Sequence, residues 1–113
     1  MTDAPRNIYH IAQQAEWEAQ RASGSYKPSA FENDGFIHCS TKEQVSGTAR
    51  RFFAGRNDVV LLTIDTEALS SPLRWEEGEP GELFPHVYGP LNVDAVARVE
   101  PLKQWEIRGA TGG

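Results

Sequence analysis

Short runs in which apolar and polar residues alternate are interleaved along this chain with two stretches of helical spacing. Asn7-Ile-Tyr-His-Ile11 puts Ile8 and His10 on one side and Tyr9 and Ile11 on the other, which predicts an opening β-strand. Gln13 to Ser23 consists of good helix formers, with Ala12, Ala15, Ala19 and Ala22 at helical spacing and Gly24 placed to stop them. Trp17 lies off that alanine stripe, and the pattern names no partner for it. Ser25 to Asp34, with Pro28 and Asn33-Asp34-Gly35, reads as a loop or a pair of turns. Its length in so small a domain makes it a candidate functional segment.

Gly35-Phe-Ile-His-Cys-Ser40 predicts a second strand. Ser40-Thr-Lys-Glu43 then follows the capping-box pattern, a hydroxyl and an acid three residues on, so a helix is expected to start there. Val45, Ala49, Phe52 and Phe53 form its expected core-facing stripe, and Gly55 its stop. Asp58 to Asp65, through Val59-Val-Leu-Leu-Thr-Ile64, is nearly continuous apolar sequence, which predicts a central strand covered on both faces. Leu73 to Glu76 is a further short strand and Glu77 to Gly81 an acidic turn. Phe84-Pro-His-Val-Tyr-Gly89 alternates again, and Pro85 assigns it to a sheet edge or a strand start. Asp94 to Glu100 fits either a helical turn or a final strand, limited by Pro101. Strands mixed with two main helices predict an α+β fold. One domain is expected over residues 7–102, with residues 1–6 and 109–113 as flexible termini.

Composition narrows the class. With 113 residues, 39% hydrophobic and 24% charged, the chain suits one self-folding globular domain. No run approaches the roughly 20 apolar residues of a membrane span, and Met1 to Arg6 carries an acid without an apolar signal region after it. A cytoplasmic location away from membranes is therefore expected. The single cysteine, Cys39, forms no internal disulfide and excludes cysteine-only zinc sites. A net charge of -5 argues against bulk binding of nucleic-acid phosphates. That charge is uneven: Lys42, Arg50, Arg51 and Arg56 make the middle basic, whereas Asp65 to Glu82 is acidic.

All three histidines fall in the short strand-like segments. Strand positions i and i+2 share a side, so Phe36, His38 and Ser40 form one set and Phe84, His86 and Tyr88 another. Each set places an aromatic ring beside a proton-transfer group, the mixture of a cleft that stacks a planar ligand and hydrogen-bonds its edge. The plain alternative is that each histidine bonds a backbone carbonyl at a strand end. His10, His38 and His86 with Glu76 or Cys39 are the candidate metal ligands, and with no paired ligand spacing among them no metal is expected. Alternation puts Cys39 on the opposite strand face from His38, as a small buried hydrophobe rather than a nucleophile. Glu76, if buried near a histidine, gains a raised pKa and the role of general acid or base. On the second helix Arg50 or Arg51 can reach a phosphate, and no Walker or Rossmann glycine loop is present. The candidate catalytic pair is thus Glu76 with His86. The candidate ligand-binding set is His10, His38, Ser40, Arg51, Trp75 and Tyr88.

The segments Ile8-Tyr-His-Ile11, Gly35-Phe-Ile-His-Cys-Ser40 and Phe84-Pro-His-Val-Tyr-Gly-Pro90, in this order and spacing, resemble the bacterial family of domain of unknown function 952. The resemblance runs from about Asn7 to Leu102. It implies a small α+β domain with a split mixed or antiparallel sheet around a cleft, similar in fold to ADP-ribosyltransferases. By that likeness His10 holds a ribose of NAD, and Glu76 bonds the nicotinamide ribose 2'-hydroxyl. Ser40 or Tyr88 stands in for the middle element, and Arg74-Trp-Glu-Glu-Gly78 departs from the transferase pattern around the glutamate.

The leading expectation is a protein that binds a small nucleotide- or ribose-like ligand in a histidine-lined cleft. The alternatives are an ADP-ribosyl or related phosphoryl-ribose transferase using NAD, through His10, Ser40, Glu76 and His86, and a protein-interaction module using Asp65 to Glu82. The last requires an exposed apolar patch in that segment.

Overall fold

The computed structural model describes residues 5–102. The apolar run Val59–Asp65 is strand β4, the centre of a three-stranded antiparallel sheet. Its partners are β1 (Asn7–Gln13) on one side and β8 (Val96–Pro101) on the other. Continuous hydrophobicity is required there because both faces are covered. Val60, Leu62 and Ile64 enter the main core, while Val59 joins a second cluster with Ile11, Ala49 and Leu102. The ambiguous stretch near Asp94 is both things in succession, a 3-10 turn at Val93–Ala95 and then β8.

A second three-stranded antiparallel sheet has the order β3 (Ile37–His38), β6 (Glu82–Val87), β5 (Leu73–Glu79). Strands β5 and β6 form a hairpin closed at Pro80-Gly81, with Gly81 at φ 81°. The expected acidic turn therefore shrinks, and Glu77 and Glu79 are strand residues. Strand β6 is the centre of this sheet rather than an edge. The Pro85 carbonyl accepts from the Cys39 amide at 3.0 Å, and its nitrogen lies on that same strand edge. The missing donor thus faces the end of the short β3 and leaves the ladder to β5 intact. Tyr9 and Ser40 join the two sheets by exchanging backbone hydrogen bonds of 2.8 and 2.7 Å. A two-residue ladder of β2 (Ser25–Tyr26) with β7 (Leu91–Asn92) closes the end of the core.

Among the described residues three α-helices fill the connections. Helix α1 (Gln14–Gln20) buries Trp17 and leaves the alanines on solvent, the reverse of what their spacing predicts. Two turns of helix present little face, and an indole removes far more apolar surface from water than two methyl groups do. Trp17 meets the Tyr26 ring edge-on at 5.6 Å, and its Nε1 is buried with no partner among the described residues. Within the segment expected to be a loop lies helix α2 (Phe31–Asp34), ended by Gly35 at φ 78°. Helix α3 (Lys42–Phe53) starts one residue later than its pattern predicts, with Thr41 as cap and Gln44 as the reciprocal partner. Ser40 is unavailable because its backbone is committed to Tyr9 and its hydroxyl pairs with Thr48 at 3.3 Å. Ala49 is buried and Phe53 half-buried, but Phe52 is 65% exposed and leaves the expected core stripe. The Arg51 guanidinium lies 5.5 Å from the Phe52 ring centroid instead.

Of the expected flexible ends, residues 1–4 and 109–113 lie outside the described residues, while Arg6 pairs with Asp65 at 2.8 Å. Trp17→Ala is expected to cost about 3–5 kcal/mol in urea unfolding, by loss of packing against Tyr26. Trp17→Phe is expected to cost less than half as much, because it keeps a ring and removes an unpaired buried N–H.

Candidate functional site

The site lies where the two sheets part. Strand β1 carries His10 beside the Tyr9–Ser40 bridge, with the imidazole on the buried side of the sheet. Its Nδ1 is 2.7 Å from the His38 carbonyl, and since a carbonyl only accepts, Nδ1 holds the proton. Nε2 therefore accepts from the Tyr26 hydroxyl at 3.0 Å. Burial away from water lowers the His10 pKa to about 4, keeping the ring neutral. Burial likewise raises Tyr26 and Cys39. Cys39 is thus a protonated core residue rather than a nucleophile.

The outer face of the second sheet carries the other two histidines. His38 and His86 are directly opposite across β3 and β6, and their rings lie 5.5 Å apart. Phe36 stacks on His86 at 4.0 Å and 19°. Each histidine has its own carboxylate. His38 Nε2 donates to Asp34 at 2.9 Å, and His86 Nδ1 donates to Glu76 Oε1 at 2.7 Å. Tyr88 donates to that same oxygen at 2.7 Å, with the Arg74 guanidinium 5.2 Å from its ring centroid. The Tyr88 hydroxyl first, then the His86 ring, holds the Glu76 carboxyl below the usual carboxylate range. That reverses the sequence-based expectation. Hydrogen bonds to the charged form outweigh desolvation, so Glu76 is an ionised acceptor that orients His86 and not a general acid.

A cleft of about 980 Å³ opens between α3, the α2 segment and this face. Of the expected site residues, His10, His38, Ser40, Arg51 and His86 line it. Glu76, Trp75 and Tyr88 are not among its lining. Glu76 and Tyr88 stand behind His86, and Trp75 packs on the main core from the opposite sheet face. Arg51 forms an ion pair with Glu79 on the hairpin. Tyr26, Asp34 and Thr48 also line the cleft and were not singled out beforehand. Asp34 had a signal, an acid four residues before His38 at a glycine turn; Tyr26 and Thr48 had none, because only the folded chain brings them to His10 and Ser40. Among the described residues no three His, Cys, Asp or Glu side chains converge as a metal site. None of the helices described is long and apolar enough to cross a membrane. No large exposed apolar side chain lies between Asp65 and Glu82 among the described residues.

Two small antiparallel sheets joined at one bridge, helices in the connections and a histidine-lined cleft at the split define an α+β cleft protein. The chain belongs to the family described as protein of unknown function (DUF952), whose model matches residues 11–99. It is similar to the crystal structure of protein CC0527 from Caulobacter crescentus, with 41% identity and a TM-score of 0.79, covering 86% of each chain. The solution NMR structure of CC0527 is similar at 40% identity and a TM-score of 0.76, covering 88% of this chain and 86% of that one. The curated proteins contain no match to this chain.

The neutral His10 makes a pH signature. Its folded pKa is depressed, so its contribution to stability is full above the ordinary value of 6.5 and is lost as pH falls from there to about 4. The loss is expected at roughly 1 kcal/mol per pH unit in urea titrations. His10→Gln is expected to flatten this part of the profile relative to the parent, and an unchanged slope would refute the assignment.

Proposed function

We propose that this protein binds a small ribose-bearing ligand, of nucleoside or nucleotide type, in the cleft between α3 and the outer face of the second sheet. The observation that carries the reading is the His86 wall. One ring nitrogen is anchored on Glu76, and the other has no partner among the described residues. Beside it, Phe36 and Phe84 supply apolar ring surface. Ser40 and Thr48 add hydroxyls for a sugar edge. Gly78 makes room for the Phe84 ring, since a Cβ there would stand 2.6 Å from Phe84 Cδ1. We read the fold as ADP-ribosyltransferase-like, supported by the two three-stranded sheets parting beside a cleft. The single cysteine, Cys39, free of any disulfide, is the support for reading a cytoplasmic location.

A second reading, proton-transfer catalysis on the same ligand, is favoured by the Glu76–His86 pair, whose carboxylate fixes the tautomer that leaves Nε2 as a base. NAD as the co-substrate fits these residues poorly. Glu76, the counterpart of the transferase glutamate, is bonded behind His86 and does not line the cleft.

Proton–nitrogen correlation spectra of the full chain, titrated with adenosine, nicotinamide riboside, ADP-ribose and NAD, test the binding reading. At least one is expected to shift amides of residues 36–40 and 84–88, with binding weakened about tenfold in His86→Ala, the cost of one lost polar contact. Silence from all four, or shifts confined to the depression near Lys42 and Arg98, would overturn it.

A further inference from the structure

We infer that the cleft selects a planar, ribose-bearing ligand without negative charge, a nucleoside-type molecule with a neutral or cationic ring rather than a nucleotide. The inference rests on the ribose-ligand reading above and adds the charge of the ligand. Its first support is the lining. Among the described residues, Glu16, Asp34, Glu43, Glu77, Glu79 and Glu82 border the cleft against Arg50 and Arg51, of which Arg50 has no ion-pair partner there. Arg51 is already paired with Glu79. Asp34 is engaged by His38, but Glu43 has no ion-pair partner among the described residues. A concave surface with an excess of one sign of charge focuses its field into the space it encloses, so a pyrophosphate is disfavoured there and a cation drawn in.

The second support is independent of the acids. The His86 side chain is only 7% exposed, lines the cleft, and has Nδ1–H committed to Glu76. The remaining Nε2 is one unshared hydrogen-bonding atom, and a sugar hydroxyl, which both donates and accepts, meets it in either protonation state of the ring, so the contact needs no anion. Nor, among the described residues, does a helix start offer an anion cradle at the cleft. Helix α3, which starts at the cleft, has Glu43 in its first turn, and Thr41 and Gln44 already close its capping box. Phe36 and Phe84, which border the same space, favour a ring, and a cationic ring gains further from the aromatic faces.

Isothermal titration of the full chain with nicotinamide riboside, adenosine, ADP-ribose and NAD tests the inference. Nicotinamide riboside, with its pyridinium charge, is expected to bind at least about tenfold more tightly than ADP-ribose or NAD, with adenosine between. Raising salt from about 0.05 to about 0.5 M is expected to narrow that gap, because screening acts on exposed carboxylates. The double variant Glu77→Gln with Glu82→Gln, both at exposed hairpin positions, is expected to narrow it at low salt. Equal or tighter binding of ADP-ribose or NAD by the parent overturns the charge selection and leaves the ribose-ligand reading standing. Binding by none of the four overturns both.

Discussion

His10 stands where three segments of the chain meet, and the cleft exists because it is held there. From β1 it donates to the His38 carbonyl on β3 and accepts from the Tyr26 hydroxyl on β2, so one imidazole ties the first sheet, the second sheet and the small ladder together. A buried imidazole with either nitrogen unmet costs free energy comparable to a lost hydrogen bond. Both nitrogens are met, so the arrangement is stable only with this tautomer and this spacing of strands. Two backbone bonds between Tyr9 and Ser40 set the distance at which the sheets part.

The outer face of the second sheet depends on that placement. With the His38 backbone fixed by His10, its cross-strand position opposite His86 follows, and the two rings share the neighbouring Phe36. Each imidazole is turned by its own carboxylate. The same division recurs in charge. Glu76 and Asp34 are engaged with histidines, while the β5–β6 hairpin carries Glu77, Glu79 and Glu82 toward α3. Gln44 links those elements, donating to Glu82 at 3.1 Å and to the Leu83 carbonyl at 2.8 Å while also serving the helix cap. One amide therefore holds the acidic hairpin against the start of the helix at the rim of the cleft.

Much of the architecture was legible in residue order, because period-2 alternation and capping chemistry are local. The central strand Val59–Asp65, the opening strand, the start of α3 to within one residue and the three histidine segments all follow from it. The misreadings have one cause, competition settled elsewhere in the fold. The alanine stripe of α1 yields to Trp17 because Tyr26 offers the indole a partner. Ser40 gives up the cap because Tyr9 claims its backbone. Strand β6 tolerates Pro85 at a sheet centre because β3 is too short to need that amide.

What the sequence determined by itself is an α+β mixture of elements, its strand periodicity, and the placement of His38 and His86 beside an aromatic or hydroxyl residue two positions away. Which histidine would have both ring nitrogens spent and which would keep one open toward the cleft was decided only by tertiary structure. His38 and His86 occupy similar strand contexts, and the local difference of His10, between Ile8 and Ala12, does not say what its ring nitrogens meet. His10 is neutral and spent because Tyr26, from another ladder, and His38, from another sheet, reach both its nitrogens. His86 keeps Nε2 open because Glu76, from the neighbouring strand, takes only Nδ1. A side chain's chemistry depends on its burial and on the lone pairs and protons opposite it, and these are set by contacts between residues far apart in the chain.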